Sequence, residues 1–188
     1  MLKDFSTSQR LQVFDLVERF DKKFDDLFAP LRKSSIANRT FYSASVLADH
    51  SILWFIIALT LYLTRPDLKK QSMRAAFILL AESGIVNVVI KTLFRRQRPL
   101  HEGERPLPLR QPLTSSFPSG HATAATCAVV LFGDVNYLKW PIRAIAAIVI
   151  MSRVHVKIHH SSDVIAGVVF GWLFARTSKK LLSRLFGA

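Results

Sequence analysis

Three clusters of residues in this chain have types and spacings that suit phosphoryl chemistry. Lys91 is followed, after six residues, by Arg98-Pro99. Pro118-Ser119-Gly120-His121 comes next, and then Ser152-Arg153, with His159 after five intervening residues and Asp163 after three more. Lys91, Arg98 and Arg153 are cations of the kind that neutralise a transferring phosphoryl group, and the arginines can grip two oxygens at once. Pro118-Ser119-Gly120-His121 stands just before an apolar run. A helix beginning there aims free N–H groups and its positive dipole end at an anion, and Gly120 lets the backbone come close. His159 and Asp163 are four apart, on one face of the helix they open. The spacing predicts that Asp163 accepts one ring N–H of His159 and leaves the other nitrogen free to attack phosphorus. His121 is then the candidate general acid for the leaving oxygen.

Taken singly, each residue has a plain reading. Lys91 would be a lysine reaching from a membrane helix to the interface, Ser152-Arg153 an ordinary helix end, and a lone histidine a cap. Their number and order together point to one phosphate site. His155 and His160 match no position of the pattern and are expected to pack or to line the rim. Four histidines raise the possibility of zinc. The lack of acidic or thiolate co-ligands, and three cations at the same site, argue against it, so no metal and no cofactor is expected.

The elements that must hold these residues read as membrane helices. Of the 188 residues half are apolar, yet the formal net charge is +13. Lys and Arg gather between long apolar runs, as in membrane proteins. A soluble nucleic-acid binder would spread them along amphipathic elements, so no nucleic-acid partner is expected. Asp4, Arg10, Asp15 and Glu18 occupy the first residues without an early apolar run, so no secretory signal peptide is expected. Cys127 lies in an apolar stretch and reads as a small core residue.

From Gln9 to Leu31, Val13, Val17, Phe20, Phe24, Leu27 and Leu31 recur at helical spacing among charges. This amphipathic helix, within residues 1–40, is expected to lie on the membrane surface. Residues 41–188 form the membrane-embedded catalytic part. A first span is expected from Tyr42 to Leu63 and a second helix from Arg74 to Phe94, with Lys69, Lys70 and Arg74 in a basic loop between them. Arg95 to Phe117, with Pro99, Pro106, Pro108 and Pro112, is a loop. Shorter helices follow at Ser119–Gly133, Trp140–Val154 and Asp163–Arg176. The fold class is therefore all-α, a bundle of about five transmembrane helices plus the amphipathic one. Alternation brings the ends carrying Lys91, His121 and Arg153 to one surface. Asp49 and Glu82 are intramembrane carboxylates, and Ser83, Asn87 and Lys91 form a polar stripe expected to bond between helices. Gly167 and Gly171 are spaced for close helix packing.

The eleven positions named in the three clusters resemble the tripartite pattern of the type 2 phosphatidic acid phosphatase (PAP2) family, the membrane lipid phosphatases. No motif residue is replaced, and the resemblance covers Lys91 to Asp163. It implies a histidine phosphatase in which His159 is transiently phosphorylated, His121 protonates the departing oxygen and water then cleaves the phosphohistidine. It implies phosphate binding by Lys91, Arg98, Ser119, Gly120 and Arg153. The expected partners are the bilayer and a lipid phosphate, with a polyprenyl diphosphate such as undecaprenyl diphosphate foremost. Phosphatidylglycerophosphate, phosphatidic acid and a prenyl-phosphoribose phosphate are the alternatives. Vanadium haloperoxidases share these residue types but are larger and soluble, and a basic membrane scaffold would need no intact histidine pair. Oligomeric state is left open. Basic short segments on the far face, with the resemblance, put the site on the extracytoplasmic side.

Overall fold

The computed structural model describes residues 7–101 and 103–186, and among these every regular element is helical. Helix α1 covers Thr7–Phe28, α2 Ser35–Leu47 and α3 Ile52–Thr64. Helix α4 runs over Pro66–Leu93, with a π-helical stretch at Ile85–Ile90. After a long loop come α5 at Gly120–Phe132, α6 at Lys139–His155 and α7 at Ser161–Phe186.

Helix α5 is the hub. Every residue from Ala122 to Ala128 is buried, and the helix packs on α7, α6, α4 and α3. Small residues let its neighbours approach. A Cβ on Gly167 would lie 2.6 Å from the Ser119 carbonyl oxygen, and one on Gly171 would lie 2.4 Å from that of Thr123. The Gly167/Gly171 pair therefore packs α7 backbone against α5 backbone, as its spacing predicts. Trp54, Leu79, Phe132, Ile142 and Val149 complete the main core.

The first expected span is broken. Between α2 and α3 the chain makes a short turn at Asp49–Ser51, with His50 and Ser51 at positive φ, and the two helices meet at 58°. Asp49-His50-Ser51 is a polar triplet of poor helix formers, and its side chains offer the backbone other bonds. Helix α4 also begins earlier than expected. Pro66 sits in its first turn, where a missing N–H costs nothing, so Lys69 and Lys70 are helical rather than in a loop. Helix α7 runs ten residues past Arg176, to Phe186.

Helix α1 docks on α7 and α6. Phe28 packs against Ala122, Val154 and Val164. Just beyond it, Arg32 donates to the carbonyls of His155 (2.9 Å) and Val154 (3.1 Å), where the negative end of α6 attracts a cation. The outer side of α1 stays open, with Leu11, Phe14, Leu16 and Leu27 exposed.

Candidate active site

All three clusters meet at one end of the bundle. Helix α4 ends there just past Lys91, α5 begins there at Gly120, and α6 ends there beside Arg153. The turn from α6 to α7 carries His159.

Ser119 is the N-cap of α5; its Oγ accepts from the Ala122 N–H. The first-turn N–H groups of Gly120 and His121 have no carbonyl one turn back to bond and point out of the helix start. A Cβ on Gly120 would sit in ordinary contact, 3.5 Å from Asn87 Oδ1 and 3.7 Å from Lys91 Nζ. No neighbour forbids a methyl there. The glycine keeps open the space between the helix N-terminus and the lysine ammonium. Lys91 is aimed by Asn87 (Nζ to Oδ1, 2.9 Å), which is itself held by the Ser83 carbonyl at 2.9 Å. The Ser83–Asn87–Lys91 stripe is thus bonded along one helix rather than between helices.

His159 is buried. Its Nδ1 lies 2.6 Å from the Ser116 carbonyl, an acceptor, so Nδ1 carries the proton and Nε2 is bare. Arg98 Nη1, a donor, stands 3.4 Å from Nε2, in keeping with that tautomer. Asp163 Oδ2 is 3.9 Å from Nδ1, beyond hydrogen-bond range. The expected direct bond is replaced by a bridge through Ser116. That residue accepts a hydrogen bond from the imidazole N–H on its carbonyl and donates one from its hydroxyl to Asp163. Asp163, fully buried, also accepts from the His160 N–H at 2.9 Å and from Arg96 Nη1 at 2.6 Å. Burial, with the nearby Arg153 and Arg98 cations, drives the His159 pKa from its ordinary 6.5 to about 3.

Arg98 is pinned through backbone carbonyls, at 3.1 Å from Thr114, 2.9 Å from Ile158 and 3.1 Å from Ser115. Arg153 is buried, donates to Ser45 Oγ and has a buried Nε without a hydrogen-bond partner. A cation left with an unused donor beside a site is positioned for an anion.

His121 is held the other way round. Its Nε2 lies 3.1 Å from the Ser45 carbonyl and 4.0 Å from Asp49 Oδ1, so Nε2 donates and Nδ1 is the remaining nitrogen. The break between α2 and α3 brings both partners here. His155 is a packing residue, as expected; it bonds Asn38 and lies among Phe28, Phe41 and Tyr42. His160 touches the site only through its backbone N–H. Glu82 is buried in α4 with neither oxygen bonded. No group of three His, Cys, Asp or Glu among the described residues is arranged to hold a metal ion.

Ser116, Arg96, Ser45 and Asp49 touch the site residues, yet the motif does not single them out. Of these only Asp49 carried a signal, as a carboxylate in an apolar stretch. Arg96 is indistinguishable by type from Arg95 beside it. A cavity of about 630 Å³ opens beside Lys91 and Arg98, with Arg95, Gln97 and Thr114 in its wall.

Comparison with known proteins fits this geometry. A family model described as the PAP2 superfamily matches residues 71–186. The chain is 35% identical over 126 residues to decaprenylphosphoryl-5-phosphoribose phosphatase of Mycobacterium tuberculosis, spanning 65% of this chain and 68% of that one. To the protein of the same name from Mycolicibacterium smegmatis it is 33% identical over 121 residues, spanning 63% and 64%. Two solved structures share the fold. The transmembrane PAP2 type phosphatidylglycerolphosphate phosphatase from Bacillus subtilis superposes with a TM-score of 0.67 at 22% identity, over 90% of this chain and 88% of that one. LpxE of Aquifex aeolicus superposes with a TM-score of 0.65 at 22% identity, over 82% and 93%.

Proposed function

The chain belongs to the PAP2 superfamily and is a phosphatase, and on that premise we propose that it is an integral membrane enzyme cleaving phosphate from a polyprenyl lipid through a phosphohistidine. The observation that carries this reading is the meeting of Lys91, Arg98, Arg153, the α5 N-terminus and two oppositely held histidines at one end of the bundle. In the first step the His159 Nε2 lone pair forms a bond to phosphorus as the bond from phosphorus to the leaving oxygen breaks. His121, protonated, gives its Nδ1 proton to that oxygen. In the second step water attacks the phosphohistidine, His121 takes up a proton from the water, and inorganic phosphate leaves with His159 restored. Lys91, Arg98, Arg153 and the Gly120 and His121 N–H groups hold the equatorial oxygens, where charge builds in the transition state. Ser119 shapes the turn that presents them.

Five crossings fit the helix order: α2 with α3 as one bent span, then α4, α5, α6 and α7. Helix α4 passes by itself as long and apolar enough to cross a membrane, and α2–α3 passes as a bent pair. Outward-facing Ile56, Leu59, Phe77, Leu80, Val88, Val169 and Leu173 suit lipid. At the end away from the site, cations sit on aromatic faces: Lys69 on Tyr62, Arg65 on Tyr137, Arg143 on Trp140 and Arg176 on Trp172. Such a basic, aromatic belt matches a cytoplasmic interface, which leaves the site facing away from the cytoplasm.

For the substrate, the 630 Å³ cavity beside Lys91 and Arg98 has room for a second anionic group next to the phosphate that leaves. A polyprenylphosphoryl-phosphoribose phosphate has one, and the relatives at 33–35% identity bear that name. Undecaprenyl diphosphate, the expectation from sequence, also has one and is the second reading. Phosphate release from purified protein in detergent, measured on both lipids and on phosphatidic acid, separates them. Activity is expected to persist in EDTA and to be inhibited by vanadate, which mimics the trigonal-bipyramidal transition state. Loss of all activity on chelation, restored by a divalent ion, would refute the metal-free mechanism.

A further inference from the structure

Helix α1 lies outside residues 71–186, the part matched by the family model, yet one of its side chains reaches the support of the active site. Asp21 is only 6% exposed on a helix whose other acids are exposed or half-buried. Its Oδ1 accepts from the Ser162 N–H at 2.7 Å. Its Oδ2 accepts from the Ser162 hydroxyl at 2.8 Å and from Arg96 Nη2 at 2.6 Å. The other arm of the same guanidinium, Nη1, donates to Asp163 Oδ1 at 2.6 Å and to Ser162 Oγ at 2.7 Å.

From these contacts we infer that Asp21 is a positioning residue for phosphoryl transfer, acting through Arg96 and Ser162 on Asp163 and, through Ser116, on His159. A planar guanidinium gripped by one carboxylate on each arm has its plane and reach set by both. Arg96 is further anchored by its backbone, whose carbonyl accepts from the Ser116 N–H at 2.9 Å. Arg96 and Ser116 therefore move together, and Ser116 bonds both Asp163 and the His159 ring. Removing the charge of Asp21 leaves Arg96 balanced by Asp163 alone. The guanidinium then turns toward it, and the bridge that keeps Nε2 bare and aimed loosens. Asp21, Ser162 and Asp163 do not line the cavity beside Lys91 and Arg98, so the loss is expected on the chemical step rather than on binding.

This inference rests on His159 being the nucleophile, so His159→Ala is measured alongside. Asp21→Asn is expected to lower kcat roughly tenfold to a hundredfold, the range for outer groups that orient a catalytic one. KM should stay within about twofold and the melting temperature near that of the parent, and Asp21→Glu should recover most of kcat. If Asp21→Asn does not fold, Arg96→Lys carries the test: it keeps the charge but loses the fork, and should show the same kcat loss. Parental kcat in whichever of these variants carries the test, or a loss that tracks falling thermal stability and does not return with Asp21→Glu, would overturn the inference and leave α1 a structural strap. An active His159→Ala would instead overturn the nucleophile assignment itself.

Discussion

His159 and His121 are the same side chain put to different use by the nitrogen that is tied down. His159 donates a hydrogen bond from Nδ1 to a carbonyl and offers Nε2, whereas His121 is held through Nε2 and offers Nδ1. Under the proposed roles, the two replacements should differ with the leaving group. A lipid alkoxide needs a proton to depart, so His121→Ala should nearly abolish hydrolysis of phosphatidic acid and cost less on a nitrophenyl ester. His159→Ala should be inactive on both, because attack precedes departure. Equal fractional losses for His121→Ala across substrates, with chemistry limiting, would leave His121 as a phosphate binder only. The pH profile adds a second reading of the same pair. Burial holds the His159 pKa near 3, so the free enzyme keeps a neutral nucleophile as pH falls through 6.5. After correction for substrate ionisation, kcat/KM should show no acid-side loss near 6.5 from this group. An acid-side break near 6.5 that substrate ionisation does not account for would mean the ring is not held neutral.

At the level of elements, the contact between α5 and α7 is where stability and activity part. A methyl at Gly171 meets the Thr123 backbone, well inside the bundle, while one at Gly167 meets the Ser119 carbonyl, at the turn proposed to bind phosphate. Both distances lie below what real Cβ atoms tolerate, and a main chain cannot rotate aside, so each alanine should cost about 1–3 kcal/mol. Gly171→Ala should lower the melting temperature with kcat/KM largely kept in the folded fraction. Gly167→Ala should lower both, because the shift displaces Ser119 and the N–H groups behind it. Thermal melting beside steady-state kinetics checks this, and a fully active Gly167→Ala would show that the turn yields without consequence. The break between α2 and α3 works in the same register: a straight helix there would carry the Ser45 carbonyl and Asp49 away from His121.

For the molecule as a whole, orientation decides which lipid pool the site can reach. With five crossings the N-terminal helix and the site share one side and the aromatic–cation belt occupies the other. In a Cys127→Ser background, a cysteine in place of exposed Glu104 should react with an impermeant maleimide on intact cells, and one in place of exposed Asn136 should react only after lysis. The reverse pattern would place the site in the cytoplasm. The same arrangement explains why α1 docks rather than floats. Its apolar side remains open, as for a helix at a membrane surface, while Phe28 and Asp21 tie its other side to the bundle.

The chain's own order determined the helical class and which side chains gather at one end of the bundle. Lys91, Arg98, His121, Arg153 and His159 could be expected to meet from type and spacing, because their positions at helix ends follow from where apolar runs start and stop. Apolar periodicity likewise marked every helix from α4 to α7 to within a few residues at most boundaries. Tertiary structure alone decided which groups hold those residues in place. Ser116 lies 43 residues from His159 and Asp21 lies 141 from Ser162, separations across which no local pattern operates. The break at Asp49–Ser51 was hidden because Tyr42 to Leu63 is apolar enough to read as one span, and hydropathy reports the average of a window rather than its backbone. The Asp163–His159 bond failed for a related reason. An i, i+4 spacing brings two residues to one face only if both are helical, and His159 lies in the turn before α7, where its ring meets the Ser116 carbonyl first.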